Sequence, residues 1–286
     1  MRSDTFHLSL FLFVMIAGLS GVSNAQNPGK VEEKYSGKLE VIFGYLDSLR
    51  GVHPFIENLC PIAIAEEDHF YVFDLDDSGS SYNLVLWEET GMEVPRGVRA
   101  AMPLQFYQNR CACVVSGDVF DNPEGYVTIF HEFIHCHQWN TVEPELRNRL
   151  PLAVKQTIME NYMWEINHPF PYDDEKIVNK YGEFISALDK EDTTEAINIR
   201  EDILSMLSDD DYQYMVWQEW KEGFALYVEN NMRNALGLPA NRVGRNLPQS
   251  RLLFYAGGEA YIRMLLRQNP DLGTDIKTLF EIMYSN

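Results

Sequence analysis

The sequence predicts an α+β protein, and two observations carry that reading. Short stretches rich in Val, Phe and Tyr, bounded by Asp, Ser and Gly, crowd the first part of the chain and read as strands. From Glu143 nearly to the end, apolar residues recur at helical spacing instead. A chain of 286 residues suits one substantial domain with a good core. The expected architecture is a small sheet lobe over 26–120, packed on a mainly helical lobe over 121–286, with a cleft between them.

In chain order, the apolar run from Phe6 to Leu19 follows Arg2 and precedes Ser23-Asn24-Ala25, small residues suited to a cleavage site. Residues 1–25 therefore read as a signal peptide cut after Ala25, which makes the protein secreted or periplasmic. The run is short for a membrane span and no other apolar stretch approaches that length, so no stable membrane insertion is expected after cleavage. Val31, Tyr35, Leu39, Ile42, Phe43, Leu46 and Leu49 then recur at helical spacing up to Gly51. Strands are expected at Pro61–Ala65, His69–Leu75, Tyr82–Trp87 and Arg110–Ser116. Helices follow at Glu145–Trp164, Asp174–Leu188, Thr193–Leu207, Asp210–Leu236, Gln249–Gln268 and Thr274–Tyr284. A stiff loop with two prolines, Asn167 to Tyr172, interrupts them, and its His168 sits among aromatics that could rim a substrate site.

The formal charge of −20 would be repelled by phosphate backbones, so no nucleic-acid partner is expected. Acids gathered in loops such as Ser208 to Asp211 read as a solvated surface. Four cysteines permit three pairings in an exported protein. Cys111 and Cys113 share a strand and are poorly placed to bridge each other. Any bridge would join Cys60 to one of them.

The chemistry-bearing stretch is His131-Glu132-Phe133-Ile134-His135, an H-E-x-x-H pattern. Residues i and i+4 share a helix face, so both imidazoles can present nitrogens to one zinc ion while Glu132 stands ready to handle a proton. Asp121-Asn122-Pro123-Glu124 reads as a helix start: a capping side chain, proline in the first turn and an acid to match the dipole. Tyr126, Val127, Phe130, Phe133 and Ile134 form an apolar stripe, with His131, His135 and Gln138 beside it. His137 points away from the other two histidines, and Cys136 reads as a small buried residue.

Two histidines leave zinc in need of a third protein ligand. The segment Trp217 to Glu229 supplies the candidate, Glu222, with Gly223 and Ala225 small enough to let its helix approach the zinc helix. Glycine inside a helix costs about 1 kcal/mol, so it asks for such a reason. Glu229 shares a face with Glu222 and could hold a ligand histidine's outer nitrogen. Glu219 rivals either for its task, and most helical glutamates simply face solvent.

H-E-x-x-H followed by Glu222-Gly223-Phe224-Ala225-Leu226-Tyr227-Val228-Glu229 resembles the gluzincin metallopeptidases, in particular the catalytic domains of aminopeptidase-N-like and glycyl-aminopeptidase-like enzymes. Tyr255 with Gly258 is similar to the tyrosine that aids the oxyanion in that family. The resemblance, from Asp118 to Leu266, implies a zincin-like fold and one zinc ion per chain on His131, His135 and Glu222. It also implies Glu132 as base, Tyr255 as electrophilic helper, and a peptide or protein substrate. The strand that holds a substrate's free amine in the aminopeptidases has no counterpart over 111–120, so the mechanism carries over rather than the aminopeptidase specificity. Two other functions use the same residues: a non-catalytic zinc-stabilised scaffold that binds peptides or a partner protein, and a zinc amidase acting on a non-peptide amide.

Overall fold

The computed structural model describes residues 28–245 and 250–285, so the expected signal peptide lies outside the described residues. The described chain is α+β and falls into two compact units, divided between His137 and Gln138.

The first unit opens with helix α1 (Pro28–Leu49), whose Val31, Tyr35, Leu39, Ile42 and Leu49 are buried, as their spacing predicts. The sheet comprises β1 (Ile62–Glu66), β2 (His69–Leu75), β3 (Tyr82–Glu89), β4 (Arg99–Leu104) and β5 (Arg110–Ser116) in the order β3-β2-β1-β5-β4. β1 runs parallel to β5 with Ile62 opposite Cys113, and every other pairing is antiparallel. β1 is buried from Ile62 to Ala65, so it reads as a continuous apolar run rather than an alternation. One core cluster joins Ala63, Phe70, Val72, Ala100 and Val114 across four strands. Tyr35 of α1 meets Phe73 edge to face, with ring centres 6.4 Å apart.

The strand β4 has no counterpart among the expected strands. It contains Pro103, and a proline normally argues against a central strand. Here β4 is an edge, where proline is tolerated.

All four cysteines are buried free thiols, so neither bridge considered from the sequence forms. Cys60 Sγ instead donates to the Asn58 carbonyl at 3.6 Å.

After β5 a 3-10 turn (Gly117–Asp121) leads into α2 (Pro123–Thr141), the helix that carries H-E-x-x-H. Asn122 caps it by accepting from the Gly125 N–H at 2.9 Å. Gly125 is required there, because a Cβ would overlap the Val119 carbonyl.

The second unit is helical. The single helix expected over 145–164 is three: α3 (Glu143–Arg149), α4 (Pro151–Ile158) and α5 (Trp164–Asn167). Leu150, ahead of Pro151, takes extended geometry at ψ 114, as proline demands of its predecessor. Glu160 then turns the chain with a positive φ of 56°. Helices α6 (Glu175–Asp189), α7 (Thr193–Met206), α8 (Asp209–Ala235), α9 (Leu252–Gln268) and α10 (Ile276–Ser285) complete the unit. Side chains of Asp174, Asp192 and Ser208 cap α6, α7 and α8. No helix of the described residues is long and apolar enough to cross a membrane.

Candidate metal centre

His131 and His135 lie one turn apart on α2 and are both buried. Their Nε2 atoms are 3.2 Å apart, and the rings meet at 76°. Two nitrogens at bonding distance from one tetrahedral zinc are separated by about 3.3 Å. The pair is therefore already spaced as two ligands of a single ion. Glu132 is buried between them in sequence.

Glu222 lies in the middle of α8, also buried. Gln138, three residues beyond His135 on the same continuous helix, donates its amide to the carbonyl of Lys221 at 3.2 Å, with that of Trp220 at 3.5 Å. That side chain ties the last turn of α2 to the backbone just ahead of Glu222. One ligand atom each from His131, His135 and Glu222 falls within 4.8 Å of the others. No cysteine belongs to this group among the described residues. Two imidazoles and a carboxylate make a donor set suited to a borderline ion such as zinc, with a fourth position left for water or substrate.

Three arrangements within the second unit hold α8 in place. First, Glu219 is clamped by Arg200, whose Nη1 and Nη2 donate to its two oxygens at 3.1 and 2.9 Å, while the Tyr181 hydroxyl donates at 2.6 Å. This removes Glu219 from both roles considered for it, since its oxygens are committed. Second, Lys221 Nζ reaches Glu143 at 3.0 Å and Glu165 at 2.9 Å, so α8 is fastened to α3 and α5. Burial pushes the Lys221 ammonium below its ordinary range, against the pull of Glu143. Third, Gly223 packs on Gly258 of α9, where a Cβ would lie 2.6 Å from the neighbouring Cα. The sequence assigned Gly223 to an approach towards the zinc helix. The structure assigns it to α9.

Glu229 is buried and accepts from Arg233 Nε at 2.6 Å and Asn241 Nδ2 at 3.0 Å. Tyr255, on the first turn of α9, is buried, and its hydroxyl accepts from Arg251 Nη1 at 2.9 Å. Arg251 Nη1 also stands 4.0 Å from Glu222 Oε1.

The remaining candidates have structural partners. His168 bonds Asp211 at 2.8 Å and stacks on Tyr214, which fixes the proline loop rather than leaving its imidazole to a substrate rim. His137 packs on Phe55, with ring centres 3.8 Å apart, and meets Asn58 Nδ2 at 3.3 Å. Burial lowers its pKa. Cys136 is fully buried, and burial pushes its thiol well up.

Sequence reasoning passed over Arg251, Lys221 and the anchoring role of Gln138. Only Gln138 carried a signal, its place beside the histidines on one helix face. Compared with protein-family models, curated proteins and solved structures, the chain matches none.

Proposed function

We propose that this chain is a zinc-dependent peptidase with a zincin-like catalytic arrangement. The observation that carries the reading is the buried trio His131, His135 and Glu222, whose two imidazole nitrogens stand 3.2 Å apart. Two imidazoles and a carboxylate gathered in one buried place are the donor set that a borderline divalent cation such as zinc takes. Zinc bound there would polarise a scissile carbonyl and make water a nucleophile at neutral pH.

The chain's own side chains have the remaining tasks. His131 and His135 bind as neutral imidazoles and Glu222 as a carboxylate, so the trio contributes one negative charge. Glu132 takes the proton of the attacking water and returns it to the leaving amine nitrogen. Tyr255 donates its phenol proton in a hydrogen bond to the developing oxyanion. Glu132 and Tyr255 are both buried, so bulk water competes little with the proton transfer by the first and the hydrogen bond from the second.

The test is zinc content, measured by mass spectrometry on the full chain, wild type beside Glu222→Ala and His131→Ala. About one zinc per wild-type chain, lost or much weakened in each variant, is the expected result. A wild-type protein that takes up no zinc after reconstitution overturns the reading and leaves a peptide-binding scaffold in its place.

A further inference from the structure

Arg251 precedes the first residue of α9, and its guanidinium is largely buried. A guanidinium has donors only, so the 2.9 Å contact between its Nη1 and Tyr255 Oη has one sense: arginine donates and the phenol oxygen accepts. A phenol whose lone pair is occupied in this way directs its own O–H elsewhere. It also becomes a stronger donor, because a charge-assisted bond polarises the next bond in the chain. The same Nη1 stands 4.0 Å from Glu222 Oε1. One nitrogen therefore relates the phenol to the candidate metal ligand.

The surroundings keep this geometry rigid. Phe254, between Arg251 and Tyr255 in sequence, is packed by the rings of Phe170, Tyr172, Tyr181 and Tyr214. Tyr172 in turn donates to Tyr214 Oη at 3.5 Å. The first turn of α9 is thus gripped on its aromatic side while the guanidinium spans one helical turn from Arg251 to Tyr255. Lysine cannot reproduce that fork of donors, though it retains the charge.

We propose that Arg251 is the positioning residue for Tyr255: its guanidinium, itself 4.0 Å from the carboxylate of Glu222, donates to the phenol oxygen, so that the hydroxyl is presented as a donor away from the guanidinium. The catalytic consequence rests on the peptidase reading above. The hydrogen bond itself does not.

The experiment has two arms. In the metal-free full chain labelled with 13Cζ-tyrosine, the Tyr255 resonance is assigned by its loss in Tyr255→Phe. It should shift in Arg251→Met and return part of the way in Arg251→Lys. An unmoved resonance in a folded Arg251→Met overturns the proposal, whether or not the protein binds zinc. In the zinc-loaded chain acting on a fluorogenic peptide library, Arg251→Met should lower kcat by roughly a hundredfold, as loss of an oxyanion donor does, with KM little changed. The double variant Arg251→Met/Tyr255→Phe should then be no slower than Tyr255→Phe alone. Fully additive losses would overturn the proposal equally. If the wild type holds no zinc, the peptidase reading fails while the resonance arm still decides the role of Arg251. Should Arg251→Met fail to fold, Arg251→Lys carries the resonance arm: it should shift Tyr255 by a smaller amount, and no shift overturns the proposal.

Discussion

Gly223 of α8 and Gly258 of α9 bring two helix backbones into direct contact. A Cβ on Gly223 would lie 2.6 Å from both the Cα and the carbonyl carbon of Gly258, and one on Gly258 would lie 2.6 Å from the Cα of Glu219. Real side-chain carbons do not approach backbone so closely, and backbone cannot swing aside as a side-chain tip can. Gly258→Ala must therefore separate α8 from α9. Alanine gains about 1 kcal/mol of helix propensity, but overpacking in a tight core costs about 1–3 kcal/mol or more. Because the clash is with backbone, the cost falls at the upper end, and the expected outcome is a net loss of about 2 kcal/mol or more, read as a lower urea midpoint at unchanged m-value. Because Glu222 is the residue before Gly223, zinc uptake should weaken in the same variant. A Gly258→Ala protein as stable as wild type would show that the two helices can part without cost.

The Arg200–Glu219 pair is wholly buried, with the guanidinium bonded at both of its terminal nitrogens. Burial acts to lower the arginine's pKa, and Glu219 and its neighbours more than offset this. Removing one partner strands the other's charge away from water, which typically costs about 3–5 kcal/mol. Glu219→Leu should unfold at a correspondingly lower denaturant concentration. The double variant Arg200→Met/Glu219→Leu should recover part of the loss, since no uncompensated charge then remains. Equal stability of single and double variants would count against this.

Much of this architecture is legible in the sequence because local chemistry and tertiary role agree. The α2 helix announces itself by Asn122 and Pro123, and the strands β1, β2, β3 and β5 by composition. The edge strand β4 is hidden because Pro103 contradicts the rule that a central strand would obey. The helix expected over 145–164 fails at Pro151 and Glu160, since apolar spacing survives breaks that the backbone does not. Gly223 is legible as a close approach, but its partner is not, because a glycine in a helix does not say which neighbouring helix it meets, and the structure sets it against Gly258 of α9. Arg251 is silent in sequence: an arginine one turn before a tyrosine is common, and only three dimensions show which atom it reaches.

The acid limb of stability should report on Glu143. Burial alone would raise its pKa, but Lys221 at 3.0 Å and Arg147 at 2.8 Å hold it below the ordinary glutamate range. A carboxylate with a depressed folded pKa binds fewer protons folded than unfolded. Its contribution is fully present above its unfolded value, about 4.5, and is lost as pH falls through the folded one. Glu143→Gln should therefore be less stable than wild type at pH 7, and the difference should narrow in urea melts taken progressively below that value. A gap that widens on acidification would reverse the assignment.

Thiol chemistry separates the free-cysteine structure from a bridged one. Cys60, Cys111, Cys113 and Cys136 are all buried, and burial holds the Cys113 and Cys136 thiols well above their ordinary pKa. The thiolate is the reactive form, so the folded protein should react with a thiol-specific dye only as fast as it opens. In denaturant without reductant, four thiols should titrate. Two would indicate the bridge that this structure lacks.

Glu132 separates metal binding from chemistry. It adjoins His131, and its proposed task is to carry a proton rather than to bind the ion. Glu132→Gln keeps the shape and the burial but removes the base. It should retain about one zinc per chain by mass spectrometry, since the three ligands are untouched. Peptide hydrolysis should fall by roughly 10²–10⁴-fold, the usual worth of a positioned acid–base group. Tyr255→Phe should lower kcat more than it changes KM, because its hydroxyl acts on charge that develops only in the transition state. A Glu132→Gln protein with full zinc and undiminished turnover would remove Glu132 from the mechanism and leave the metal site in search of another base.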